Sequence, residues 1–204
     1  MSRIIIAGAG AQGAIVADIV RGAVGFVDDV KEPGTLVFGI PVLGSIASLA
    51  TIEHDAVIVA IGDNRKRREL TERLVTAGER LATAIHPFTS IAPSATIGEG
   101  SMISAGAIVL PRAVIGRGVI VNTKGSVDHD SVVGDFAHVS AGATVGARCH
   151  IGAEALIAIG ATVVSMMTVG AQTIIGSGAV VVAPIPAGVV AFGVPARIRP
   201  DRKP

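Results

Sequence analysis

The chain is poor in aromatic side chains and in cysteine. It has five Phe, no Trp or Tyr and a single Cys149, although 50% of its 204 residues are hydrophobic. A core built with so few aromatic rings must be stacked from small and β-branched side chains, as inside a narrow coil. One cysteine excludes an intramolecular disulfide framework and is compatible with a reducing compartment.

Charge and long apolar runs are also scarce. The net charge is +1 at pH 7, and no basic stripe with interleaved aromatics occurs, so the sequence does not predict a nucleic-acid binder. No uninterrupted apolar run approaches the about 20 residues of a membrane span, and Ser2–Ala7 is too short for a signal peptide core. We expect a soluble cytoplasmic protein without a membrane partner. The densest basic run, Arg65–Arg68, is interpreted as the solvated face of a helix.

The dominant pattern is a hexapeptide repeat in the second part of the chain. Sixteen positions six residues apart, from Ile91 to Val181, all hold Ile or Val without a change of register. Neither the 3.6-residue period of a helix nor the two-residue period of a strand produces this spacing. A triangular parallel β-helix does, because three successive hexapeptides form the three sides of one coil. The Gly, Asn or Asp that often follows the inward aliphatic residue is interpreted as the corner residue.

The first part of the chain, up to Ile85, carries a different pattern, in which apolar strands alternate with helices. This alternation predicts a small parallel sheet with helices on its faces, a Rossmann-like α/β domain over residues 1–85. Residues 86–204 then form the all-β domain with its C-terminal tail. The predicted strands are Arg3–Ala7, Gly25–Val27, Ala56–Ile61 and Arg80–Ile85, and the predicted helices are Ala14–Arg21 and Arg65–Ala77.

A glycine loop follows the first predicted strand. Gly8, Gly10 and Gly13 match the dinucleotide fingerprint, and an acid, Asp28, follows the next strand. Such a loop lets backbone N–H groups and a helix N-terminus approach a pyrophosphate. The domain is small for a full dinucleotide, so the pattern favours a nucleotide diphosphate. An NAD(P) site and a purely structural tight turn remain as alternatives.

Three of the five histidines lie on the repeat, and one of them has acidic neighbours on both sides. His129 stands between Asp128 and Asp130, and a carboxylate bonded to one ring nitrogen would make the other a better base. Asp128 has an alternative interpretation as a corner residue. The spacing of His138 and His150 along the repeat places the three rings on different sides of a coil, so no metal is expected. His54 and His86 are interpreted as surface or capping residues.

These features together resemble the sugar-nucleotide N-acetyltransferases of the hexapeptide-repeat acyltransferases. The resemblance is to the bacillosamine and perosamine pathway enzymes, with sialic acid O-acetyltransferases as relatives. Its most specific segment is 121–139, which holds Val127-Asp128-His129-Asp130 and then a second histidine, His138. It implies a left-handed β-helix, a homotrimer, and acetyl-CoA-dependent acetylation of the 4-amino group of a UDP- or GDP-linked amino-dideoxy sugar.

The resemblance also assigns roles to residues by position. His129 would be the general base, Asp130 would raise its basicity, and His138 would contact the acetyl group or the thioester of acetyl-CoA. Backbone groups at Ile159 and Ser177 would line the CoA channel. One departure is that many relatives have histidine where this chain has Gln12, which leaves the sugar nucleotide open. The positions matching the nucleotide-sugar site are Gly10, Ala11, Gln12, Asp28, Asp29 and Gly62.

Three other functions remain as alternatives. The acceptor could be a hydroxyl, as in O-acetylation of a sialic acid. The chain could be a non-enzymatic β-helix scaffold with a nucleotide-sensing head, or an NAD-dependent reductase. The sequence does not distinguish UDP from GDP, nor does it fix the stereochemistry of the sugar or its downstream pathway.

Overall fold

The chain divides into two compact units, Met1–Ile85 and His86–Pro204. The computed structural model describes residues 2–20, 22–200 and 204. Arg21, at the end of the first predicted helix, and residues 201–203 of the predicted tail lie outside the described residues.

The first unit is a small α/β domain built around a mostly parallel sheet. Its strands lie in the order β3 (Leu36–Val37), β4 (Ile40–Gly44), β2 (Ala23–Val27), β1 (Ile4–Ala7) and β5 (Ala56–Val59), numbered along the chain. Strand β1 is parallel to β2 and β5, β2 is parallel to β4, and β3 is antiparallel to β4. Buried Ile5, Val27, Val57, Leu70 and Leu74 join the sheet to its helices. The elements are β1 Ile4–Ala7, α1 Ala11–Ile19, β2 Ala23–Val27, β3 Leu36–Val37, β4 Ile40–Gly44, a 3₁₀ turn Ile46–Thr51, β5 Ala56–Val59, α2 Asn64–Thr76 and β6 Ala84–Ile85.

The predicted Rossmann-like class is confirmed, but the sequence patterns missed part of this unit. The hairpin of β3 and β4 and the following 3₁₀ turn were not predicted, because Gly39 lies in the turn, Pro41 and Gly44 lie in β4, and the short strands show no clear alternation. Helix α1 also begins earlier than predicted, at Ala11, directly after Gly10, so that Gly13 lies in its first turn.

The second unit is the predicted parallel β-helix, and its short strands stack into three faces. Strands of the repeat pair in parallel with the strand one coil later, as Val109 does with Val127, whereas the final pair, Val190–Phe192 with Arg197–Ile198, is antiparallel. Face 1 consists of Ser90–Ile91, Ile108–Val109, Ser126–Val127, Thr144–Val145, Thr162–Val163 and Val180–Val181. Face 2 consists of Thr96–Ile97, Val114–Ile115, Val132–Val133, His150–Ile151 and Thr168–Val169. Face 3 includes Met102–Ile103, Ile120–Val121, His138–Val139, Leu156–Ile157, Ile174–Ile175, Val190–Phe192 and Arg197–Ile198.

The repeat positions form the core of this unit, as the sequence predicts. From Ile103 to Val181, every repeat aliphatic is at most 1% exposed, whereas Ile91 and Ile97 at the first coil are partly buried. The smaller residues two positions earlier are buried as well, Cys149 among them. Burial raises the pKa of the Cys149 thiol, which agrees with its interpretation as a packed side chain rather than a nucleophile.

The corner residue of each turn is not the one that the sequence pattern indicated. The left-handed conformation occurs three positions after the inward aliphatic, as at Lys124 (φ 55°) and Asp130 (φ 59°), and not one position after it. The glycines one position after serve another purpose: a Cβ on Gly134 would lie 2.6 Å from the backbone nitrogen of Ala153 on the next coil. These glycines permit close backbone approach between coils.

Within residues 2–20, 22–200 and 204, no helix is both long enough and apolar enough to cross a membrane.

Candidate active site

A cleft of about 670 Å³ lies in the first unit, where parallel strands end. The carboxyl ends of β1, β2 and β5 meet at one edge of the sheet, which is where ligands bind in open α/β folds. All six residues predicted to bind the substrate line this cleft, so the structure brings them together, and their roles stay a prediction. The lining is Gly8, Gly10, Ala11, Gln12, Asp28, Asp29, Val30, Ile46, Ala60, Ile61, Gly62 and Lys66.

The glycine loop brings the start of α1 to the cleft. Gly8 adopts a left-handed conformation (φ +107°), and a Cβ on Gly13 would collide with the carbonyl oxygen of Gly8. A Cβ on Gly10 would meet nothing within 4 Å, because this residue faces the open cleft. Gly13 is therefore needed for folding, whereas Gly10 keeps the helix N-terminus accessible to an anion.

Asp28 ties the glycine loop to the end of β2. Its Oδ2 accepts a hydrogen bond from the Ala9 N–H at 2.7 Å, and its Oδ1 accepts from the Val30 and Lys31 N–H groups at 2.9 Å. Burial alone would raise the pKa of Asp28, but these three donors lower it below its ordinary value. The neighbouring Asp29 accepts from the Ile46 N–H at 2.8 Å. Asp28 is therefore an ionised carboxylate that shapes the cleft.

Helix α2 contributes a cation to the cleft that the sequence analysis did not assign. Asp63 caps the helix by accepting from the Lys66 N–H at 2.8 Å, and Lys66 lines the cleft. The prediction of a solvated basic face is wrong for Arg67, which is fully buried and donates to the carbonyls of Ile61 (2.9 Å) and Gly62 (3.2 Å). The N-cap Asp63 was the available signal, because it places residue 66 in the first helical turn beside the strand ends.

His129 lies in the second unit, on the edge between faces 1 and 2, which we call edge 1–2. Its Nδ1 is 2.7 Å from Oδ2 of Asp130, and its backbone N–H donates to Asp128 at 2.6 Å. Because an ionised carboxylate only accepts hydrogen bonds, Nδ1 carries the hydrogen and Nε2 of the neutral ring holds the lone pair. The His129 side chain is 43% exposed. The structure thus brings the two predicted catalytic residues together, with a basic nitrogen available to a ligand.

Arg112 completes this cluster, and the sequence analysis did not identify it. Its Nε donates to Oδ1 of Asp130 at 2.6 Å and its terminal nitrogen donates to Oδ2 at 2.8 Å. Arg112, and then His129, hold the pKa of the Asp130 carboxyl well below its usual range, and Asp130 in turn raises the pKa of Arg112. The sequence did contain a signal for this contact, because Arg112 lies 18 residues, or one coil, before Asp130.

The predicted cofactor residues lie on face 3 and on the edge between faces 3 and 1, which we call edge 3–1. Asn122 Nδ2 is 3.3 Å from His138 Nε2, while Asn122 Oδ1 accepts from the Thr123 N–H at 2.7 Å. His138 Nε2 is therefore the acceptor, and the neutral ring carries its hydrogen on Nδ1. Ile159 and Ser177 are exposed on successive coils of edge 3–1, where the Gly178 N–H donates to the Ile159 carbonyl at 2.9 Å.

One chain does not bring the predicted base and the predicted cofactor residues together. His129 is on edge 1–2, whereas His138, Ile159 and Ser177 are on face 3 and edge 3–1, so the whole width of face 1 separates them. His150 lies on face 2. Among the described residues, no three His, Cys, Asp or Glu side chains are grouped so that they could hold a metal ion.

A parallel β-helix with a carboxylate-supported histidine on its edge, preceded by an α/β unit with a strand-end cleft, defines the class of hexapeptide-repeat acyltransferases. Comparison with known proteins identifies the branch. Residues 3–74 match the family described as the PglD N-terminal domain. A curated relative, UDP-N-acetylbacillosamine N-acetyltransferase of Bacillus subtilis, is 42% identical over 48 residues, which span 24% of this chain and only 22% of that protein.

Several solved structures match nearly the whole chain. The acetyltransferase domain of PglB from Neisseria gonorrhoeae, in complex with acetyl coenzyme A, is 37% identical, with 97% of this chain and 99% of that chain covered and a TM-score of 0.92. PerB from Caulobacter crescentus, in complex with CoA and GDP-perosamine, is 34% identical, with 98% of each chain covered and a TM-score of 0.92. The chain belongs to this family of sugar N-acetyltransferases, which confirms the resemblance.

Proposed function

We propose that this chain transfers the acetyl group of acetyl-CoA to the 4-amino group of a nucleotide-linked amino-dideoxy sugar. The observation that carries the proposal is the match to Caulobacter PerB, which covers 98% of both chains and which was solved with CoA and GDP-perosamine bound together. The acetyl-CoA complex of the Neisseria domain supports the same donor.

The cleft of the first unit would hold the nucleotide diphosphate of the substrate. The N-terminus of α1 and Lys66 both line it, and a helix N-terminus and a cation each favour a pyrophosphate. Gln12 lies almost buried in the cleft, where it can donate a hydrogen bond but carries no charge at neutral pH. His129 alone would therefore take the proton of the amine.

His129 would act as general base in a direct transfer. The sugar amine attacks the thioester carbonyl, so that an N–C bond forms and the C–S bond breaks. The amine proton passes to Nε2 of His129, which accepts no hydrogen bond from any described residue, and then to the departing thiolate of CoA. Asp130 stabilises the protonated ring through its bond to Nδ1.

Edge 3–1 has the shape that a long, thin thioester donor requires. Gly142, Gly160 and Gly178 follow one another on three coils, and a Cβ on any of them would meet nothing within 4 Å. Ile159 and Ser177, which directly precede two of these glycines, are exposed as well, so the edge is open along its length. His138 lies on the adjacent face and would contact the acetyl group or the thioester.

We propose further that the complete site forms between copies of the chain in a homotrimer. Within one chain, face 1 separates His129 from the predicted cofactor residues. Side-by-side packing of prisms would place edge 1–2 of one copy against face 3 or edge 3–1 of the next. Exposed apolar side chains on the prism, among them Ile108, Val114 and Ile159, are consistent with this packing.

Release of free thiol from acetyl-CoA, with mass analysis of the acceptor, tests the proposal. The panel contains GDP- and UDP-linked 4-amino sugars, the matching 4-hydroxy sugars and free sialic acid. We expect thiol release and one added acetyl group with at least one amino-sugar nucleotide only. Transfer to a hydroxyl would instead establish an O-acetyltransferase, binding of NAD to the first unit would favour a reductase, and failure to bind acetyl-CoA would leave a scaffold.

A further inference from the structure

The guanidinium of Arg112 occupies a regular position in the β-helix. Edge 1–2 carries a column of corner residues, one from each coil, which includes Arg112, Asp130, Arg148 and Met166, all with positive φ. Stacked coils bring neighbouring members of this column side by side, so the backbone places the guanidinium of Arg112 directly against the carboxylate of Asp130. The repeat therefore puts the two side chains within reach of each other, and the printed geometry shows that they meet.

The contact engages both oxygens of the carboxylate. Oδ1 accepts from Nε of Arg112 at 2.6 Å, while Oδ2 accepts from the terminal nitrogen of Arg112 at 2.8 Å and from His129 Nδ1 at 2.7 Å. A carboxylate held only by an exposed imidazole could rotate about its Cβ–Cγ bond. The planar, two-point fork of the arginine fixes the plane of the carboxylate and with it the direction of the bond to the ring.

We propose that Arg112 is a positioning residue of the acetyl transfer, which acts through Asp130 to orient the imidazole of His129 and to limit its basicity. This inference rests on the proposed role of His129 as general base. The arginine holds the carboxylate in one orientation, and its positive charge offsets part of the negative charge that Asp130 presents to the ring. The ring then accepts a proton from the amine but still gives it up to the departing thiolate.

The charges around the ring set the sign of the expected effect. Asp128 and Asp130 lie on the same turn as His129, Arg112 lies on the preceding coil, and Arg148 lies on the following coil, where its backbone N–H donates to the His129 carbonyl at 3.0 Å. Among the described residues, the side chain of Arg148 forms no ion pair with Asp130. Loss of the Arg112 charge leaves the two carboxylates less compensated, which favours the protonated ring.

Three variants separate geometry from charge. In Arg112→Met both the fork and the charge are lost, and methionine fits the site because Met166 occupies the same column with the same backbone conformation (φ 65°). Arg112→Lys keeps the charge and loses the fork. Arg148→Met is the matched control, since it deletes the same charge from the same column at a position without the contact to Asp130.

The experiment measures kcat and kcat/KM for acetyl transfer against pH. For Arg112→Met we expect kcat to fall about tenfold, with unchanged KM for acetyl-CoA, and the midpoint of the acid limb to move up by about 0.5 pH. Arg112→Lys should restore the midpoint but not the full kcat. Arg148→Met should stay within about twofold of the wild type with a smaller movement of the midpoint. Equal behaviour of Arg112→Met and Arg148→Met in both measurements would overturn the inference.

A second measurement does not depend on catalysis. The His129 imidazole signal, assigned by its absence in His129→Asn, is titrated by NMR in the wild type, Arg112→Met and Arg148→Met. We expect the titration midpoint to be highest in Arg112→Met, intermediate in Arg148→Met and lowest in the wild type. An unchanged midpoint in Arg112→Met would contradict the inference even if no acetyl transfer were found with any sugar. Absence of transfer by the wild type, with the midpoints ordered as expected, would count against the proposed function alone. If Arg112→Met does not fold, the kcat of Arg112→Lys still decides the geometric part.

Discussion

The two units of the chain connect sequence to structure in different ways. In the β-helix, one rule repeated sixteen times builds the core, and the chemical groups stand on the outer faces and edges, apart from the core positions. In the α/β unit, the same few residues shape the fold and line the cleft, as Gly8 and Asp28 do. Activity and stability should therefore be separable by substitution in the β-helix and closely linked in the α/β unit.

The largest expected effect comes from the β-helix, where chemistry should be lost without loss of structure. His129→Asn removes the only proposed base and should lower kcat by about 10²–10⁴-fold, while acetyl-CoA still binds and the unfolding temperature is unchanged. Steady-state thiol release and calorimetric binding measure the two effects. His150→Asn is the control, because this ring is exposed on face 2 of the same unit. Near-normal turnover of His129→Asn would remove the base from the mechanism.

The α/β unit should respond in the opposite way, with structure and binding lost together. In Gly13→Ala, the new Cβ collides with the Gly8 carbonyl, which should destabilise this unit by about 1–3 kcal/mol and weaken nucleotide-sugar binding about a hundredfold. Helical circular dichroism during thermal unfolding reports on this unit, because α1 and α2 both belong to it.

Gly10→Ala is the matched control within the same loop. Its Cβ meets no atom within 4 Å, so folding should be unaffected, and binding should fall about tenfold because the methyl group enters the cleft. Equal destabilisation by the two substitutions would mean that the loop is not held as the structure indicates.

A smaller effect on binding is expected for Lys66, which adds a charge to the cleft of the α/β unit but is not part of the core of that unit. Lys66→Met should weaken nucleotide-sugar binding about tenfold by removing one cation from the pyrophosphate, with acetyl-CoA binding unchanged. Arg65→Met is the control, because Arg65 is exposed on the same helix and pairs with Glu69 at 2.8 Å. Isothermal calorimetry with the nucleotide sugar distinguishes them, and equal losses would show a general charge effect rather than a contact of Lys66.

The smallest predicted effect is a pH dependence confined to the α/β unit. His54 has one ring nitrogen 2.6 Å from the Ile52 carbonyl and the other 2.7 Å from the Glu79 carboxylate. Burial alone would lower the pKa of His54, but these two bonds, with the charge of Asp55, raise it above its ordinary value. Its contribution to the free energy of unfolding is therefore complete below pH 6.5, the ordinary value, and is lost as pH rises through the raised pKa.

Thermal unfolding at about pH 6 and about pH 9, followed by helical circular dichroism, tests this prediction. The wild type should lose stability at the higher pH, and His54→Gln should lose less. His86→Gln, a substitution in the β-helix unit, should leave the difference unchanged. A wild type that gains stability over this range would contradict the assigned sign.

The sequence predicted the β-helix more completely than the α/β unit for a physical reason. Each inward position from Ile103 to Val181 is buried in the same surroundings, so all of them require the same kind of side chain. The six-residue period of these side chains is therefore enough to predict the fold and its faces. The hairpin of β3 and β4 has no repeat to support it, and its exposed Leu36 and Phe38 resemble loop residues. Short strands without regular alternation leave little trace in the sequence, even when they are neighbours in the chain.

The residues of the candidate site were likewise predictable only where the sequence carries a local pattern. His129 and Asp130 could be found because they are adjacent in sequence, and Asp28 because a glycine loop precedes it. Arg112 could be found only by applying the coil period to charged residues as well as to the core. Arg67 was misread because sequence shows a basic run but not which member of it turns inward to cap backbone carbonyls.

The pairing of each strand with the strand one coil later also restricts how such a chain can change length during evolution. Gain or loss of a whole coil keeps every column in line. It lengthens or shortens the distance between two edge positions in steps of about 4.8 Å, and with it the length of edge available to a bound thioester. Insertion of one or two residues that are not looped out at an edge would instead turn all later Ile and Val side chains toward water. Natural variants of this half are therefore expected to differ by complete turns, with shorter insertions confined to the edges.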